Sequence, residues 1–482
     1  MAALSALEPK DVFSYFEALC AVPHGSGNTR AATDLCLRFA REHGLRCRSD
    51  ALGNVVIWKD GSAGYAHSEP MILQGHLDMV CAKGADCAKD MAKEGLDLAT
   101  DGEYVWAKGT SLGGDDGIAV AMILAILADD SLPHPPIEAV FTVDEETGMD
   151  GAFGLDCSDL RGRRLLNLDS EEEGVFTVSC AGGVRLDCRL PAEPYPAEGL
   201  RFFTVALSGL LGGHSGVEID KGRANANHLM GRILYTAAER IPGLRLASVR
   251  GGQFDNVICP RCDAVVAVPT EKADDFTGEI RRMEPVLRNE YAGCDAGLSL
   301  ACAPAEGTSA FSETDTARLL FALFTLPQGV QAMSADFPGL VQTSLNLGVL
   351  SSDGCGLRFT CSVRSSIASQ KEFLVQRVRA TVERAGGAVT PHASYPGWQY
   401  ARVSPLRDLI CESYRDISGR EGRVAATHGG LECGLFVEKL PGLDAVSLGP
   451  ELHDVHSARE RLGVASVGRV YRLVCEVLRR AK

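Results

Sequence analysis

The run Ile118-Ala-Val-Ala-Met-Ile-Leu-Ala-Ile-Leu-Ala carries no polar side chain. A helix that is apolar on every face has no side to turn toward water, so it has to be buried between other layers. It is too short to span a bilayer, which takes roughly 18 or more apolar residues, and no other run reaches that length. Its surroundings say what buries it. Residues 11–20 and 31–43 have helical apolar spacing. Short apolar or β-branched runs occur at Asn54–Trp58, Pro70–Leu73, Ile137–Val143 and Arg164–Leu168. Strands alternating with helices predict an α/β unit, with a mixed, mainly parallel sheet covered by helices on both faces.

At 482 residues the chain is longer than one typical domain. The pattern changes near the proline-rich stretch Leu190-Pro-Ala-Glu-Pro-Tyr-Pro and again near Val389-Thr-Pro-His-Ala-Ser-Tyr-Pro-Gly-Trp. Between them strand-like segments (Phe202–Leu207, Ala264–Val268, Val341–Val349, Leu357–Val363) alternate with helical ones (Asn225–Ile241, Thr314–Leu326, Lys371–Ala385). Helix, a short strand and a final helix follow. The expected organisation is one domain (residues 1–189 and 394–482) interrupted by an inserted α+β domain (residues 190–393). Three consecutive domains are the alternative.

Composition removes several classes. Lys+Arg minus Asp+Glu is 48 − 63 = −15, which argues against nonspecific binding to nucleic acid or to an anionic membrane. The 17 cysteines are odd in number and scattered, with Cys259-Pro-Arg-Cys262 the one CxxC. A disulfide scaffold belongs to small secreted chains. Lys10, Asp11 and Glu17 interrupt the N-terminal stretch, which reads as neither signal peptide nor anchor. The expectation is a cytoplasmic protein whose thiols are mostly buried and inert.

The chemistry is carried by where acids and histidines fall. Pro70–Gly75 runs into His76-Leu-Asp78, Ile137–Val143 into Asp144-Glu145-Glu146, and Arg164–Leu168 into Asp169. Leu443–Gly449 leads to His453 and His456, and Asp115 sits after a Gly-rich turn just before the apolar helix. In open α/β sheets ligands bind beyond the carboxyl ends of the strands, so these groups are placed to converge. Packed carboxylates repel one another unless cations neutralise them. His with Asp and Glu is an O/N donor set that suits Zn²⁺ and also meets the needs of Co²⁺ or Mn²⁺. Two histidines and three carboxylates exceed one tetrahedral site and fit two ions sharing a carboxylate, an arrangement that can acidify a water for hydrolysis. His76 and Asp78 point the same way in an extended segment, so Asp78 can accept the second ring N–H of His76. Of Glu145 and Glu146, one can ligate while the other takes a proton.

These stretches resemble a known family. Gln74-Gly-His76-Leu-Asp78-Met-Val, Gly109-Thr-Ser-Leu-Gly-Gly-Asp115-Asp-Gly-Ile and Asp144-Glu145-Glu146-Thr-Gly-Met-Asp-Gly-Ala-Phe-Gly-Leu are joined by several more. Those are Asn167-Leu-Asp169-Ser-Glu-Glu-Glu-Gly, Cys180-Ala-Gly-Gly, Gly212-Gly-His214-Ser-Gly, Asn225-Ala-Asn227, Gly430-Leu-Glu-Cys-Gly-Leu-Phe and His456-Ser. Together they resemble the aminoacyl-histidine (Xaa-His) dipeptidases, a branch of the M20 co-catalytic metallopeptidases, over nearly the whole chain. The resemblance implies that His76 and Asp169 hold one metal, Glu146 and His456 the other, and that Asp115 bridges. It implies Glu145 as general base and acid, Asp78 as the orienter of His76, and a cis peptide between Asp115 and Asp116. It also implies a lid domain that often pairs subunits, so a homodimer, and a lid histidine, His214, that clamps the substrate. Asn256 is a candidate for the peptide carbonyl and Arg364 for the substrate carboxylate, since Arg binds carboxylates in a fork. Two departures bear on substrate preference and loop shape: Asp116 stands where relatives often carry Asn, and Ala458 follows His456-Ser where Pro is common.

The implied activity is hydrolysis of unblocked dipeptides, Xaa-His among them. A related tripeptidase, carboxypeptidase or N-acyl amino acid amidohydrolase is the alternative, because fold analogy does not fix substrate. A serine hydrolase is disfavoured, because Val217 replaces the last glycine of G-x-S-x-G around Ser215. A non-enzymatic scaffold is disfavoured by the completeness of the ligand set.

Overall fold

The computed structural model describes residues 3–482. The chain forms two compact units, one made of residues up to Ser179 with Tyr400–Ala426 and Leu431–Lys482, the other of Cys180–Gln399 with Thr427–Gly430.

The first unit is built on an eight-stranded sheet. Its order is Arg46–Ser49, Val55–Lys59, Ile137–Thr142, Met71–His76, Arg164–Asn167, Asp444–Ser447, Val175–Cys180, Arg423–Thr427. Ile137–Thr142, Met71–His76, Arg164–Asn167 and Asp444–Ser447 run parallel at its centre. The strands flanking this core pair antiparallel. Met71–His76 and Ile137–Thr142 are buried along their whole length, as strands covered on both faces must be. The apolar run forms the helix Gly114–Ala128, and no side chain from Ile118 to Leu127 is more than 2% exposed. Each large apolar side chain so buried contributes about 1.5–3 kcal/mol. Helix Lys10–Cys20 packs against it with Val12, Phe13, Phe16 and Leu19 buried.

The second unit holds a nine-stranded antiparallel sheet. Its main path is Ser299–Ala305, Leu200–Ser208, Cys262–Pro269, Arg245–Gly251, Val341–Asp353, Gly356–Ser365, Gly182–Pro191, Ala388–Tyr395. Helices Ala226–Arg240, Ala273–Glu290, Glu313–Thr325 and Ala368–Arg384 bury Leu229, Ile233, Phe276, Ile280, Leu319, Leu323 and Val378 in one core with the sheet. Asn225 caps the first of these helices by accepting from the amides of Asn227 and His228.

The units exchange at Ser179/Cys180 and Gln399/Tyr400, not at the proline-rich stretches placed at 190 and 393. The reason is pairing. Gly182–Pro191 is hydrogen-bonded on one side to Gly356–Ser365 and on the other to Ala388–Tyr395, so it is an interior strand of the second sheet. The prolines are accommodated at its end and in the two-stranded pair Pro194–Pro196 with Ser309–Phe311, where missing donors cost little. Thr427–Gly430 returns to the second unit, where Gly429 O accepts from Ala181 N and His428 Nε2 lies 2.7 Å from Ser344 Oγ.

None of the 17 cysteines forms a disulfide; nine are buried and two, Cys81 and Cys355, are exposed. Burial pushes Cys36 up to about 12. Cys259 is buried and donates to the Arg261 carbonyl at 3.0 Å, a local turn contact. Among the described residues no helix is long and apolar enough to cross a membrane.

Candidate metal centre and active site

Three of the four parallel strands deliver chemistry at their carboxyl ends. His76 closes Met71–His76, Glu145 and Glu146 follow Ile137–Thr142, and Asp169 follows Arg164–Asn167. Asp115 enters just before the regular part of the buried helix and is joined to Asp116 by a cis peptide. His456 comes from the loop between the short strands Leu452–His453 and Arg461–Gly463. Close approach shapes the turn after Glu146: a Cβ on Gly151 would lie 2.2 Å from the Val143 carbonyl oxygen, so only glycine fits there.

The donor atoms cluster in three overlapping groups, each within 4.8 Å: His76 with Asp116 and Asp169, His76 with Glu145 and Glu146, and Asp115 with Glu146 and His456. Asp115 joins the histidines, with Oδ1 at 3.1 Å from His76 Nε2 and Oδ2 at 3.2 Å from His456 Nε2. His76 Nε2 also lies 3.8 Å from Asp169 Oδ1, and His456 Nε2 lies 2.8 Å from Glu146 Oε1. All five expected ligands are therefore brought together. Asp116 joins them, with Oδ2 accepting from the His76 backbone N–H at 3.1 Å.

Asp78 offers His76 two acceptors, its carbonyl oxygen and its carboxylate. The nearer acceptor for His76 Nδ1 is the Asp78 carbonyl oxygen at 2.9 Å, while Oδ1 of its carboxylate is 3.5 Å away. The carboxylate also accepts from the backbone N–H of Glu145 at 3.0 Å and of Glu146 at 3.3 Å, and from Ser26 Oγ at 2.8 Å. A backbone carbonyl fixes a ring tautomer as well as a carboxylate does. One residue thus orients His76 and fastens the Glu145-Glu146 turn.

The electrostatics call for cations. Burial, followed by repulsion from Asp116, drives Asp169 well above the carboxylate range, and Asp116 is raised by the same combination of burial and Asp115. Burial pushes Glu145 up to about 8, with Glu432, Glu146 and Asp115 adding to the rise. Burial would also raise Asp115, but hydrogen bonds to His456 and His76 hold it below its ordinary value. His456 is pushed up to about 10 by Asp115 and Glu146. Burial pulls His76 down, and its bonds to Asp115 and Asp78 reverse that into a net rise. So many ionisable groups sharing protons for want of another counter-charge is the pattern that divalent cations resolve. Glu146 Oε1 is sealed from solvent and accepts no aligned hydrogen bond. Nitrogen and carboxylate donors without thiolate fit hard to borderline ions.

Residues outside the expected set support this shell. Glu432 is fully buried and accepts from Gln74 Nε2 at 2.6 Å and Thr142 Oγ1 at 2.7 Å, and Gln74 Oε1 accepts from Asn167 Nδ2 at 2.6 Å. Burial pushes Glu432 up to about 7. Glu460 is 3% exposed and binds the backbone at the start of the apolar helix. The signal available in the sequence was position: Glu432 lies inside the Gly430-Leu-Glu-Cys-Gly motif, and Glu460 lies four residues after His456. His453 is not among the grouped donors; its ring tilts against Tyr104 at 5.9 Å.

In the second unit, Gly213–His214 pairs with Val257–Ile258, and the Asn256 carbonyl accepts from Ser215 N at 2.9 Å. His214 Nδ1 accepts from Gly216 N at 3.2 Å, and burial, then the Arg364 charge, lowers its pKa. Arg364 Nη1 donates to the Tyr395 hydroxyl at 3.1 Å, while its buried Nε has no partner. A Cβ on Gly216 would lie 2.8 Å from the His214 ring and 3.4 Å from Arg364 Cζ, so those two side chains face one small space.

Comparison with known proteins agrees with this picture. Residues 205–293 match the family model described as a peptidase dimerisation domain. The chain is 37% identical to the cytosol non-specific dipeptidase of Escherichia coli (strain K12) over 99% of both chains. The crystal structure of aminoacylhistidine dipeptidase from Vibrio alginolyticus superposes with a TM-score of 0.93 at 35% identity, covering 99% of this chain and 98% of that one. An M20 family metallo-carboxypeptidase from Sulfolobus solfataricus shares the fold, with a TM-score of 0.53 at 12% identity over 98% of this chain and 99% of that one. With its ligand set, its sheet order and a relative matched from end to end, the chain belongs to the aminoacyl-histidine dipeptidase family of M20 metallopeptidases.

Proposed function

We propose that this protein is a two-metal dipeptidase that hydrolyses unblocked dipeptides, Xaa-His among them. The observation that carries the reading is the Asp115 carboxylate, with one oxygen turned to each of two histidines. His76 and Asp169 would hold one cation and Glu146 and His456 the other, with Asp115 shared. When bound, the two cations would polarise the scissile carbonyl and acidify a water. Zn²⁺ is the first choice for this donor set, with Co²⁺ or Mn²⁺ as alternatives.

The chain's own residues supply the rest. Glu145 stands beside the ligands with a backbone N–H fixed by Asp78, and its carboxylate takes the proton of the attacking water and returns it to the leaving amine. Cations held by the neighbouring ligands would oppose the rise that burial and its acidic neighbours impose on Glu145, and so favour the ionised form that a base needs. Asp78 acts as a positioning residue for both His76 and Glu145. His214, Asn256 and Arg364 are the proposed substrate contacts, His214 and Asn256 as polar groups for the peptide and Arg364 for the carboxylate.

The matched dimerisation domain supports a homodimer, which light scattering on the purified protein tests directly. The name of the Escherichia coli relative supports a cytoplasmic location.

The function is tested with a peptide panel: Gly-His, β-Ala-His, apolar dipeptides, tripeptides and N-acetylated dipeptides, each with and without chelator. Cleavage of free dipeptides that chelator abolishes, with about two metal equivalents bound, supports the reading. Preferred cleavage of tripeptides or N-acylated substrates, or turnover indifferent to chelator, would replace it with one of the sister activities or end it.

A further inference from the structure

Glu460 takes no part in the chemistry described above, yet it is 3% exposed and unusually well satisfied. Its Oε2 accepts from the backbone N–H groups of Leu112 at 2.8 Å and Gly113 at 3.1 Å, and its Oε1 from Gly114 at 2.8 Å and Asp115 at 3.4 Å. These amides belong to the turn that precedes the regular part of the buried helix and ends at Asp115. A carboxylate that accepts several backbone N–H groups at once makes charge-assisted bonds that hold both partners in one place. Here the carboxylate arrives from a segment 345 residues away.

That segment is the one that bears His456. The loop between Leu452–His453 and Arg461–Gly463 places Asp454 at φ 52° and His456 at φ 59°, conformations that non-glycine residues adopt only when the surroundings hold them there. The His456 side chain is 45% exposed, so packing alone does not fix it. Glu460, at the far end of the same loop, is fixed. Gly114 makes its seat possible: a Cβ there would lie 2.6 Å from Leu452 Cδ2 and 3.3 Å from Glu460 Oε1.

We propose that Glu460 is a positioning residue that presets the distance between the bridging Asp115 and the ligand His456, and so forms the second cation position before the cation arrives. This rests on the two-metal reading. Glu460 touches neither substrate nor cation and acts through the backbone of residues 112–115 and through its own loop. Loss of its charge loosens two segments at once.

The test is Zn²⁺ titration of chelator-stripped protein against a competing chromophoric chelator, on wild type, E460Q and G114A. Wild type is expected to take up two equivalents. E460Q and G114A are expected to keep one with little change and to bind the other about 10–100-fold more weakly, the range seen when groups that orient ligands are removed. Their kcat should fall at stoichiometric Zn²⁺ and recover with excess Zn²⁺, with KM unchanged. A merely destabilised variant would not be rescued by metal in this way. Folded E460Q that binds two equivalents with wild-type affinity overturns the inference. Wild type that binds fewer than two overturns the two-metal reading itself. Should the variants not fold, hydrogen exchange on metal-free wild type decides: slow exchange of the amides of residues 112–115 supports presetting, and open-loop exchange until Zn²⁺ is added overturns it.

Discussion

His456 Nε2 stands 2.8 Å from an oxygen of Glu146 that is closed off from solvent and receives no aligned hydrogen bond. The two atoms meet as co-ligands do. Without a cation between them the imidazole keeps a proton, and the pair Asp115 and Glu146 holds that proton up to about 10. Binding of a cation has to displace it. Metal uptake near pH 7 is therefore expected to release protons, and apparent affinity at this position to rise up to about tenfold per pH unit while the imidazole is still protonated. Calorimetric titration in two buffers of different ionisation enthalpy measures the release. Buffer-independent heats would contradict this.

Glu145→Gln retains every proposed ligand and removes the proposed base. Its metal content should match wild type, while kcat falls by about 10²–10⁴-fold. Equal turnover would remove Glu145 from its role.

Asp78→Asn keeps the carbonyl that binds His76 but weakens the clamp on the amides of Glu145 and Glu146. Metal binding at the His76 position should change less than turnover, which should drop by about 10–100-fold. Asp78→Asn with metal affinity lost and kcat preserved at saturating metal would reverse this assignment.

Glu432 gives the metal-free protein a signed dependence on pH. Its folded pKa is raised from 4.5 to about 7 by burial. The native state therefore keeps a proton that the unfolded state gives up. The stabilisation is fully present below about pH 4.5 and is lost as pH rises through about 7, by an order of magnitude of 3 kcal/mol. Glu432→Gln, which cannot ionise, should gain stability relative to wild type across that window. Urea melts of chelator-treated protein at pH 5 and pH 8 measure it, and parallel curves for the two proteins would contradict it.

Lys439 Nζ donates to the carbonyls of Ala152 at 2.6 Å, Phe153 at 2.7 Å and Leu155 at 2.8 Å, holding the end of the short helix that follows the Glu145-Glu146 turn. Lys439→Met should cost about 1–3 kcal/mol of stability, the price of leaving such acceptors unmade. A thermal melt unchanged from wild type would show that water replaces the ammonium there.

Much of the candidate centre was legible because its proposed ligands sit where periodicity ends. Each apolar strand stops and an acid or histidine begins, so His76, Glu145, Glu146 and Asp169 stand out without any knowledge of partners. What the sequence hid is longer in range. Asp78 lies two residues from His76, and spacing alone points its carboxylate at the ring; that the carboxylate also serves the backbone N–H groups of Glu145 and Glu146, 67 and 68 residues away, is not visible locally. Glu460 and Glu432 bind groups hundreds of residues distant, and nothing local distinguishes them from solvated acids. Helix Ala273–Glu290 passed unread because Gly278 and Pro285 interrupt it, although Phe276, Ile280, Met283 and Leu287 mark its buried face. The proline-rich stretch near 190 misled for a similar reason: local turn chemistry was outweighed by an interior strand's two hydrogen-bonded neighbours.

The order in which the ribosome delivers these parts has a consequence of its own. His76, Asp115, Glu145, Glu146 and Asp169 all emerge before the second unit is made, whereas His456 emerges after it. The strand Asp444–Ser447, which completes the parallel core beside Arg164–Asn167, also comes late. A nascent chain thus carries most of the proposed centre for much of its synthesis without His456, the histidine proposed to complete it. On the proposed reading, a chain whose final segments have not folded back onto its first lacks one proposed ligand of the second cation.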